Sequence, residues 1–153
     1  MKLFFLAFLF FSANFTSVLA SNYDNILREM DKIIESNKTL ITKIDIGTND
    51  QGNKIYGLRF ENLNVVSINE KPSHLVVGVH HGNETLSADV AMEFAKQLKN
   101  NMTDDNNIYK SLSDDIIYVI PVLNISGYNK NTRHEKNASG KSIDPNRDYP
   151  DAC

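Results

Sequence analysis

The stretch His74-Leu75-Val76-Val77-Gly78-Val79-His80-His81-Gly82-Asn83-Glu84 decides the fold, because an apolar run gives way to polar residues within it. An apolar run of this length, bounded by glycine, predicts a strand that is buried on both faces. The next segment, from about residue 86 to residue 100, has the apolar spacing of an amphipathic helix. The buried face of that helix is predicted to carry Leu86, Val90, Phe94 and Leu98. The stretch therefore forms a tight connection from a strand to a helix.

Two potential metal ligands lie in this connection. His81 and Glu84 are three residues apart, so an imidazole and a carboxylate can converge on one cation, and this pair of donors suits zinc. The position favours function, because open α/β sheets bind their ligands at the carboxyl ends of strands. An isolated His-x-x-Glu is more often not a metal site. His80 competes for the same role, but neighbouring strand positions face opposite sides, so we expect it to be structural.

Length and charge limit the classes of protein to consider. A chain of 153 residues has room for one domain. Its net charge of −3 comes from well-mixed residues, with no basic stripe outside a loosely basic loop at residues 130–141. This pattern argues against nucleic acid as a partner.

The first twenty residues have the composition of a targeting segment. One lysine precedes a short apolar core, and small residues lead up to Ala20, the arrangement of a secretory signal peptide. We therefore expect a signal peptide at residues 1–20, a secreted or lumenal protein and no membrane association after cleavage. A retained signal anchor is the alternative, although the apolar core is short for crossing a bilayer. Of the sequons in the mature chain, those at Asn37, Asn101 and Asn137 are predicted to be usable for glycosylation.

The remaining elements follow from periodicity. A helix is predicted from about residue 23 to residue 36, followed by a hairpin of two alternating runs, residues 40–46 and 54–60. Residues 116–123 predict another buried strand, so strand, helix and strand form a βαβ unit with parallel strands. Residues 100–115 predict a polar link, and the last thirty residues show no apolar periodicity. The fold class is α/β, a partial three-layer sandwich whose mixed sheet combines the hairpin with the βαβ unit.

Topology brings polar groups to one edge of this sheet. His81 and Asn124 each follow a parallel strand, so they should open onto the same rim. Arg133 and Arg147 lie in the polar carboxy-terminal segment, and a guanidinium binds carboxylates and developing oxyanions with a planar fork. A surface loop or frayed tail remains the alternative for this segment.

Four motifs in collinear order resemble the amino-terminal half of a zinc carboxypeptidase of the carboxypeptidase A type. The residues similar to the motifs of that family are Ile46-Gly47-Thr48 with Gly52 to Tyr56, Gly78 to Glu84, Pro121 to Asn124 with Gly127-Tyr128, and Asp144-Pro145-Asn146-Arg147. Each motif alone is weak, and four in the right order are specific. The resemblance covers residues 21–153 and implies a truncated carboxypeptidase-like fold.

The resemblance also implies a metallocarboxypeptidase that removes carboxy-terminal residues from peptides or proteins. His81 and Glu84 correspond to ligands of one zinc ion, which lowers the pKa of bound water. Asn146 and Arg147 correspond to the groups that bind the free carboxylate of the peptide. Arg133 corresponds to the catalytic arginine that stabilises the oxyanion, although His134 is an alternative for that role.

Departures from the family pattern leave other functions open. Asn83 stands where the family often has an arginine, and the third zinc ligand and general base of the family lie downstream of the fourth motif. We therefore expect this chain, as given, to be an inactive fragment of a peptidase. The alternatives are an aspartoacylase-like zinc deacylase of N-acyl amino acids and a non-catalytic secreted pseudoenzyme that binds peptides.

Overall fold

A computed structural model describes residues 23–65, 70–102, 107–147 and 149. The helices are α1 (Tyr23–Ser36), α2 (Leu86–Asn100), α3 (Asn107–Asp114) and α4 (Ile125–Lys130), with a 3-10 turn at Pro145–Arg147. The strands are β1 (Ile41–Thr48), β2 (Lys54–Phe60), β3 (Ser73–Val77), β4 (Ile116–Ile120), β5 (Glu135–Lys136) and β6 (Ser142–Ile143). The predicted signal peptide lies outside the described residues. None of the described helices is long and apolar enough to cross a membrane.

Within the described residues, the main sheet has four strands in the order β1-β2-β4-β3. β1 and β2 form the predicted antiparallel hairpin, and β2 continues antiparallel to β4. β3 pairs in parallel with β4, from Ser73 opposite Ile116 to Val77 opposite Ile120. The predicted combination of a hairpin and a βαβ unit in a mixed sheet is confirmed, and the fold class is α/β.

Helix α1 has the predicted bounds because its apolar residues recur at the helical period. Tyr23, Ile26, Met30 and Ile33 are buried, and they pack into one core with residues of the hairpin such as Ile41, Leu58 and Phe60. The hydroxyl of Tyr23 accepts a hydrogen bond from the backbone N–H of Tyr56 at 2.9 Å, which fixes α1 on the hairpin.

The predicted buried face of α2 is wrong for most of its length. Leu86 is 72% exposed, Val90 61% and Phe94 38%, and only Leu98 is buried as predicted. The helix instead packs through its smaller residues, with Ala88, Ala91, Met92 and Ala95 buried. The three alanines place little side chain between the helix backbone and the core, whereas the larger residues lie on the outer face.

Three further predictions need correction. β3 was expected to be buried on both faces, yet it is an edge strand in the described part of the sheet and Leu75 is 63% exposed. The expected polar link contains α3, which is anchored by the fully buried Leu112. The carboxy-terminal segment contains α4 and the small β5–β6 hairpin, whose isolated apolar residues gave no periodic signal.

Candidate active site

The turn after β3 is held in a strained conformation by buried contacts. Val79 has φ of 52°, in the left-handed region that a β-branched side chain rarely adopts. Its side chain is 1% exposed, its N–H donates to the hydroxyl of Ser87 at 2.8 Å, and its carbonyl accepts from the N–H of Asn124 at 2.9 Å. These contacts redirect the chain from β3, and the two histidines and Glu84 follow directly. Backbone strain of this kind often occurs at functional sites.

The side chains of His81 and Glu84 converge. Nδ1 of His81 lies 2.8 Å from Oε1 of Glu84, and the imidazole is almost fully buried while the carboxylate is half exposed. Nε2 of His81 lies 3.0 Å from Oδ1 of Asp144. Both ring nitrogens therefore face carboxylate oxygens, one from the same turn and one from 63 residues along the chain. The ring orientation is fixed from both sides.

Asp144 is the residue for which sequence reasoning assigned no role. It belongs to the fourth motif, but only the structure brings its carboxylate to His81. Burial of this carboxyl group favours a raised pKa, but the hydrogen bond with His81, the N–H of Asn146 and the charges of His81 and Arg133 outweigh it, so the pKa of Asp144 lies below its usual value. A metal-binding histidine generally has a hydrogen-bond partner for its second ring nitrogen. A search of the sequence for such a partner of His81 could have identified Asp144.

Arg133 reaches the same cluster from the loop after α4. Its guanidinium lies 3.4 Å from Oδ2 of Asp144 and 3.9 Å from Oε1 of Glu84, and its side chain is 43% exposed. It also lines a cavity of about 230 Å³ with Lys130, His134 and other residues of the loop. The structure thus places the predicted Arg133 beside the predicted His81 and Glu84.

Asn146 and Arg147 lie directly after Asp144, in the 3-10 turn. The N–H of Asn146 donates to Oδ1 of Asp144 at 3.0 Å, and the Arg147 guanidinium donates to the carbonyl of Asn146 at 2.9 Å. Both residues are exposed. The side chain of Asp144 therefore links this turn to His81. The binding of a carboxylate by Asn146 and Arg147 stays a prediction.

The other histidines have surroundings different from those of His81. Nε2 of His80 lies 2.6 Å from the hydroxyl of Tyr149, so this ring makes a different contact from that of His81. His74 is exposed and 3.7 Å from Asp115. His134 is exposed and lines the cavity beside Arg133.

The donor set fits zinc in type but supplies an incomplete site. An imidazole nitrogen and a carboxylate oxygen 2.8 Å apart can share one cation, and Asp144 is placed to hold the ring as an outer carboxylate does in zinc sites. A catalytic zinc site uses three protein ligands. Among the residues that the structure describes, no group of three or more His, Cys, Asp or Glu side chains could hold a metal ion.

A buried acid lies two residues beyond Arg133. Glu135 is 9% exposed, and Oε1 accepts a hydrogen bond from the amide of Asn49 in the β1–β2 loop at 2.6 Å. Burial raises the pKa of Glu135, a negative charge on Asp50 adds to the rise, and hydrogen bonds from Asn49 and Ser126 partly offset it. This contact ties the hairpin loop to the strand that follows the Arg133 loop.

Comparison with known proteins gives one family over most of the chain. The model described as zinc carboxypeptidase matches residues 26–153. The mouse (Mus musculus) carboxypeptidase N catalytic chain is 26% identical over 138 residues, which are 84% of this chain and 30% of that protein. Carboxypeptidase E of Caenorhabditis elegans is 26% identical over 132 residues, 80% of this chain and 28% of that protein. The rat (Rattus norvegicus) carboxypeptidase A2 is 24% identical over 146 residues, 89% of this chain and 34% of that protein.

Solved structures share the fold. Thrombin activatable fibrinolysis inhibitor superposes with a TM-score of 0.65 at 17% identity, over 77% of this chain and 30% of that one. The carboxypeptidase A from Helicoverpa armigera gives 0.63 at 16% identity, over 76% of this chain and 29% of that one. The chain thus spans about a third or less of the length of the relatives described here.

Proposed function

The chain belongs to the zinc carboxypeptidase family, and on that premise we propose that it forms part of a zinc-dependent enzyme that removes carboxy-terminal residues from peptides or proteins. One observation carries the proposal beyond family membership: His81, Glu84, Arg133 and Asp144 meet in one cluster although they come from three separate parts of the chain. Residues 21–153 are then part of the catalytic domain.

His81 and Glu84 are the residues that would hold zinc. When bound, the metal supplies a Lewis acid and lowers the pKa of a coordinated water. His81 would present Nδ1 to the metal, because this nitrogen faces Glu84, and the Asp144 carboxylate 3.0 Å from Nε2 would then accept the proton that Nε2 carries. The remaining ligand of a three-ligand site would come from residues that the structure does not describe or that this chain does not include.

Arg133 is the residue proposed to stabilise negative charge on the reacting carbonyl. Its guanidinium donors lie within 4 Å of both Glu84 and Asp144, so a carbonyl oxygen beside the metal pair is within reach of the same side chain. An oriented donor of this kind typically contributes about 3–4 kcal/mol to the transition state. The cavity beside Arg133, with Lys130 in its lining, provides a positively charged surface for a peptide substrate.

Asn146 and Arg147 are proposed to select chain ends by binding the terminal carboxylate. The exposure of both side chains and the position of the turn beside Asp144 support this role. A guanidinium and an amide together provide charge-assisted and neutral donors to one carboxylate, so a peptide with a blocked terminus lacks the recognised group.

The first test is activity in the protein that contains this chain together with the rest of a catalytic domain. We expect release of the last residue from a peptide with a free carboxylate and none from the same peptide with a terminal amide. A chelator should abolish release and zinc should restore it. Release that survives both chelation and the substitution His81→Ala would refute the proposal.

The second test uses the chain itself. We expect Co²⁺, as a spectroscopic substitute for zinc, to bind the 153-residue chain weakly, and we expect His81→Ala to remove that binding. His74→Ala is the matched control, because His74 is also paired with an aspartate but lies outside the cluster. Equal loss of Co²⁺ binding in both variants, or in neither, would contradict the assignment of His81.

A non-catalytic peptide-binding role is the second candidate. The observation that favours it is the exposure of Asn146 and Arg147, which could bind a terminal carboxylate without any metal. The same pair of peptides distinguishes the two functions, because a binding protein would retain the free-carboxylate peptide without shortening it. The deacylase alternative is disfavoured, since the matched family model is that of zinc carboxypeptidases.

We also propose that the protein enters the secretory pathway. The support is the composition of residues 1–20 and the sequons at Asn37, Asn101 and Asn137. Expression in a eukaryotic host should give a product that begins at Ser21 and loses mass on treatment with a glycosidase specific for N-linked glycans. A product that keeps Met1 and stays in the membrane would instead indicate a signal anchor.

A further inference from the structure

We infer that Asn124 is a positioning residue, whose side-chain amide holds the loop that carries Arg133 against the turn that carries His81. The inference rests on the proposed function, because the distance between these two residues matters for catalysis only if both act on one substrate. The contacts of Asn124 can be tested without any measurement of activity.

The side chain of Asn124 uses its donors and its acceptor within the protein. Nδ2 donates to the carbonyl of His80 at 3.3 Å and to the carbonyl of Arg133 at 3.2 Å, while Oδ1 accepts from the N–H of Gly127 at 2.7 Å. The residue is completely buried. An amide is the group that this position needs, since a carboxylate has no donor and a hydroxyl has only one.

The two loops also touch directly through their backbones. The N–H of Gly82 donates to the carbonyl of Arg133 at 3.2 Å. A Cβ atom on Gly82 would lie 2.0 Å from the carbonyl carbon of Gly127 and 2.4 Å from the carbonyl oxygen of Thr132. No side chain therefore separates the two loops at this crossing. Backbone contacts therefore set the spacing of His81 and Arg133, and the side-chain amide of Asn124 bridges the two segments.

The charged side chains are not sufficient to fix Arg133 by themselves. Its contacts with Asp144 and Glu84 are long for ion pairs, 3.4 and 3.9 Å, and the guanidinium is 43% exposed. Ion pairs with this exposure are screened by water and contribute little. The Asn124 amide is itself completely buried, so its end of both bonds is shielded from water. Without it the carbonyl of His80 would lose this donor, and among the described residues the carbonyl of Arg133 would keep only the bond from the N–H of Gly82. The buried amide, rather than the visible ion pairs, positions the Arg133 loop.

The experiment compares amide hydrogen exchange in the 153-residue chain and two variants. Asn124→Asp keeps the shape and the acceptor but removes both donors. Asn62→Asp is the matched control, because Asn62 is also buried, donates to Ser113 at 3.3 Å and lies in a different part of the fold. The reporter is the N–H of Gly82, whose acceptor is the Arg133 carbonyl. The N–H of Gly78, bonded to Ile120, is the internal reference.

We expect Asn124→Asp to raise exchange at Gly82 by at least about tenfold relative to Gly78, because the Arg133 loop is released locally. Asn62→Asp should leave the ratio of the two rates unchanged, whatever it does to global stability. An unchanged ratio in Asn124→Asp would overturn the inference.

A measurement on the unmodified chain covers the case in which Asn124→Asp does not fold. The two side-chain amide protons of Asn124 should exchange at least about a hundredfold more slowly than those of the exposed Asn83, since the Asn124 amide is completely buried and donates to two carbonyls. Equal rates would overturn the inference. Failure of the proposed function gives a different result: Co²⁺ binding would be insensitive to His81→Ala while the exchange data still reported the Asn124 contact.

Discussion

Replacing Gly82 by alanine tests the backbone crossing on which the geometry of the site depends. The new Cβ would lie 2.0 Å from a backbone carbon of Gly127, whereas real Cβ atoms essentially never approach a neighbour within 3.0 Å. The turn at Gly82 would therefore have to move by about 1 Å away from α4 and the loop that follows it. The contacts with Gly127 and Thr132 are both with main-chain atoms, so no side-chain rotation can relieve them.

The size of the effect follows from what this separation disrupts. Overpacking of a close-packed interior costs about 1–3 kcal/mol. The hydrogen bond from Gly82 to Arg133 and those from Asn124 contribute about 1 kcal/mol each and would be stretched as well. We expect Gly82→Ala to lower the free energy of unfolding by about 4 kcal/mol, a large part of the roughly 5–15 kcal/mol that stabilises a typical domain. The midpoint of thermal unfolding should fall by roughly 10–20 °C.

Gly140→Ala is the control, because the two glycines differ in what they require. Gly140 has φ of 78° and open space around its Cβ position, so alanine there meets only the backbone cost of the left-handed region, about 1–2 kcal/mol. Urea unfolding followed by circular dichroism gives both free energies. A loss at Gly82 no greater than that at Gly140 would refute the tight crossing and the reasoning built on it.

Three further predictions concern single side chains. The raised pKa of Glu135 means that the folded chain binds this proton more tightly than the unfolded chain does. The free energy of unfolding therefore falls as the pH rises above the unfolded pKa near 4.5. Glu135→Gln should be more stable than the parent at pH 7, and urea titrations should show this difference disappearing below about pH 4. Asp144→Asn should weaken zinc binding by about 10–100-fold in calorimetry, whereas Asp115→Asn should leave it unchanged. Leu86→Ala should change the free energy of unfolding by less than about 0.5 kcal/mol. Met92→Ala should lower the free energy of unfolding by about 2–5 kcal/mol, because Met92 is buried. A larger loss for Leu86→Ala than for Met92→Ala would instead support the buried face that was predicted from the sequence.

The fold could be predicted where one short-range pattern dominates. The period of apolar residues gave the bounds of α1, and alternation around a polar loop gave the hairpin. The rule that a strand, a helix and a strand form a parallel pair gave β3 beside β4. These patterns depend on residues a few positions apart, so tertiary contacts did not override them.

The face of α2 could not be predicted, because apolar periodicity does not say which stripe faces the core. Leu86 and Val90 form the larger apolar stripe and lie outside, together with the exposed Leu75 on the neighbouring edge strand. The stripe of small residues faces inward, because Ala88 and Ala91 allow the helix backbone to approach the core closely. A sequence pattern weighted by side-chain size selects the wrong face in such a case.

The candidate site divides in the same way. The spacing of His81 and Glu84 within one turn predicted their convergence, and the structure places them 2.8 Å apart. The contact between His81 and Asp144 joins residues 63 positions apart and depends on the path of the chain through α4 and the β5–β6 hairpin. No local pattern indicated these two elements, so the partner of the second ring nitrogen emerged only from the fold.

The charged residues of the site are easier to recognise in the sequence than the neutral residues that position them. Arg133 attracts attention in the sequence, yet its exposed ion pairs contribute about 0–1 kcal/mol each. The two bonds that the fully buried Asn124 amide donates contribute about 1 kcal/mol each, and loss of the amide would break both. The precision of the charged cluster therefore depends on the neutral amide of Asn124 and on Gly82. Substitutions at these neutral positions should disturb the geometry of the site more than substitutions that weaken its exposed ion pairs.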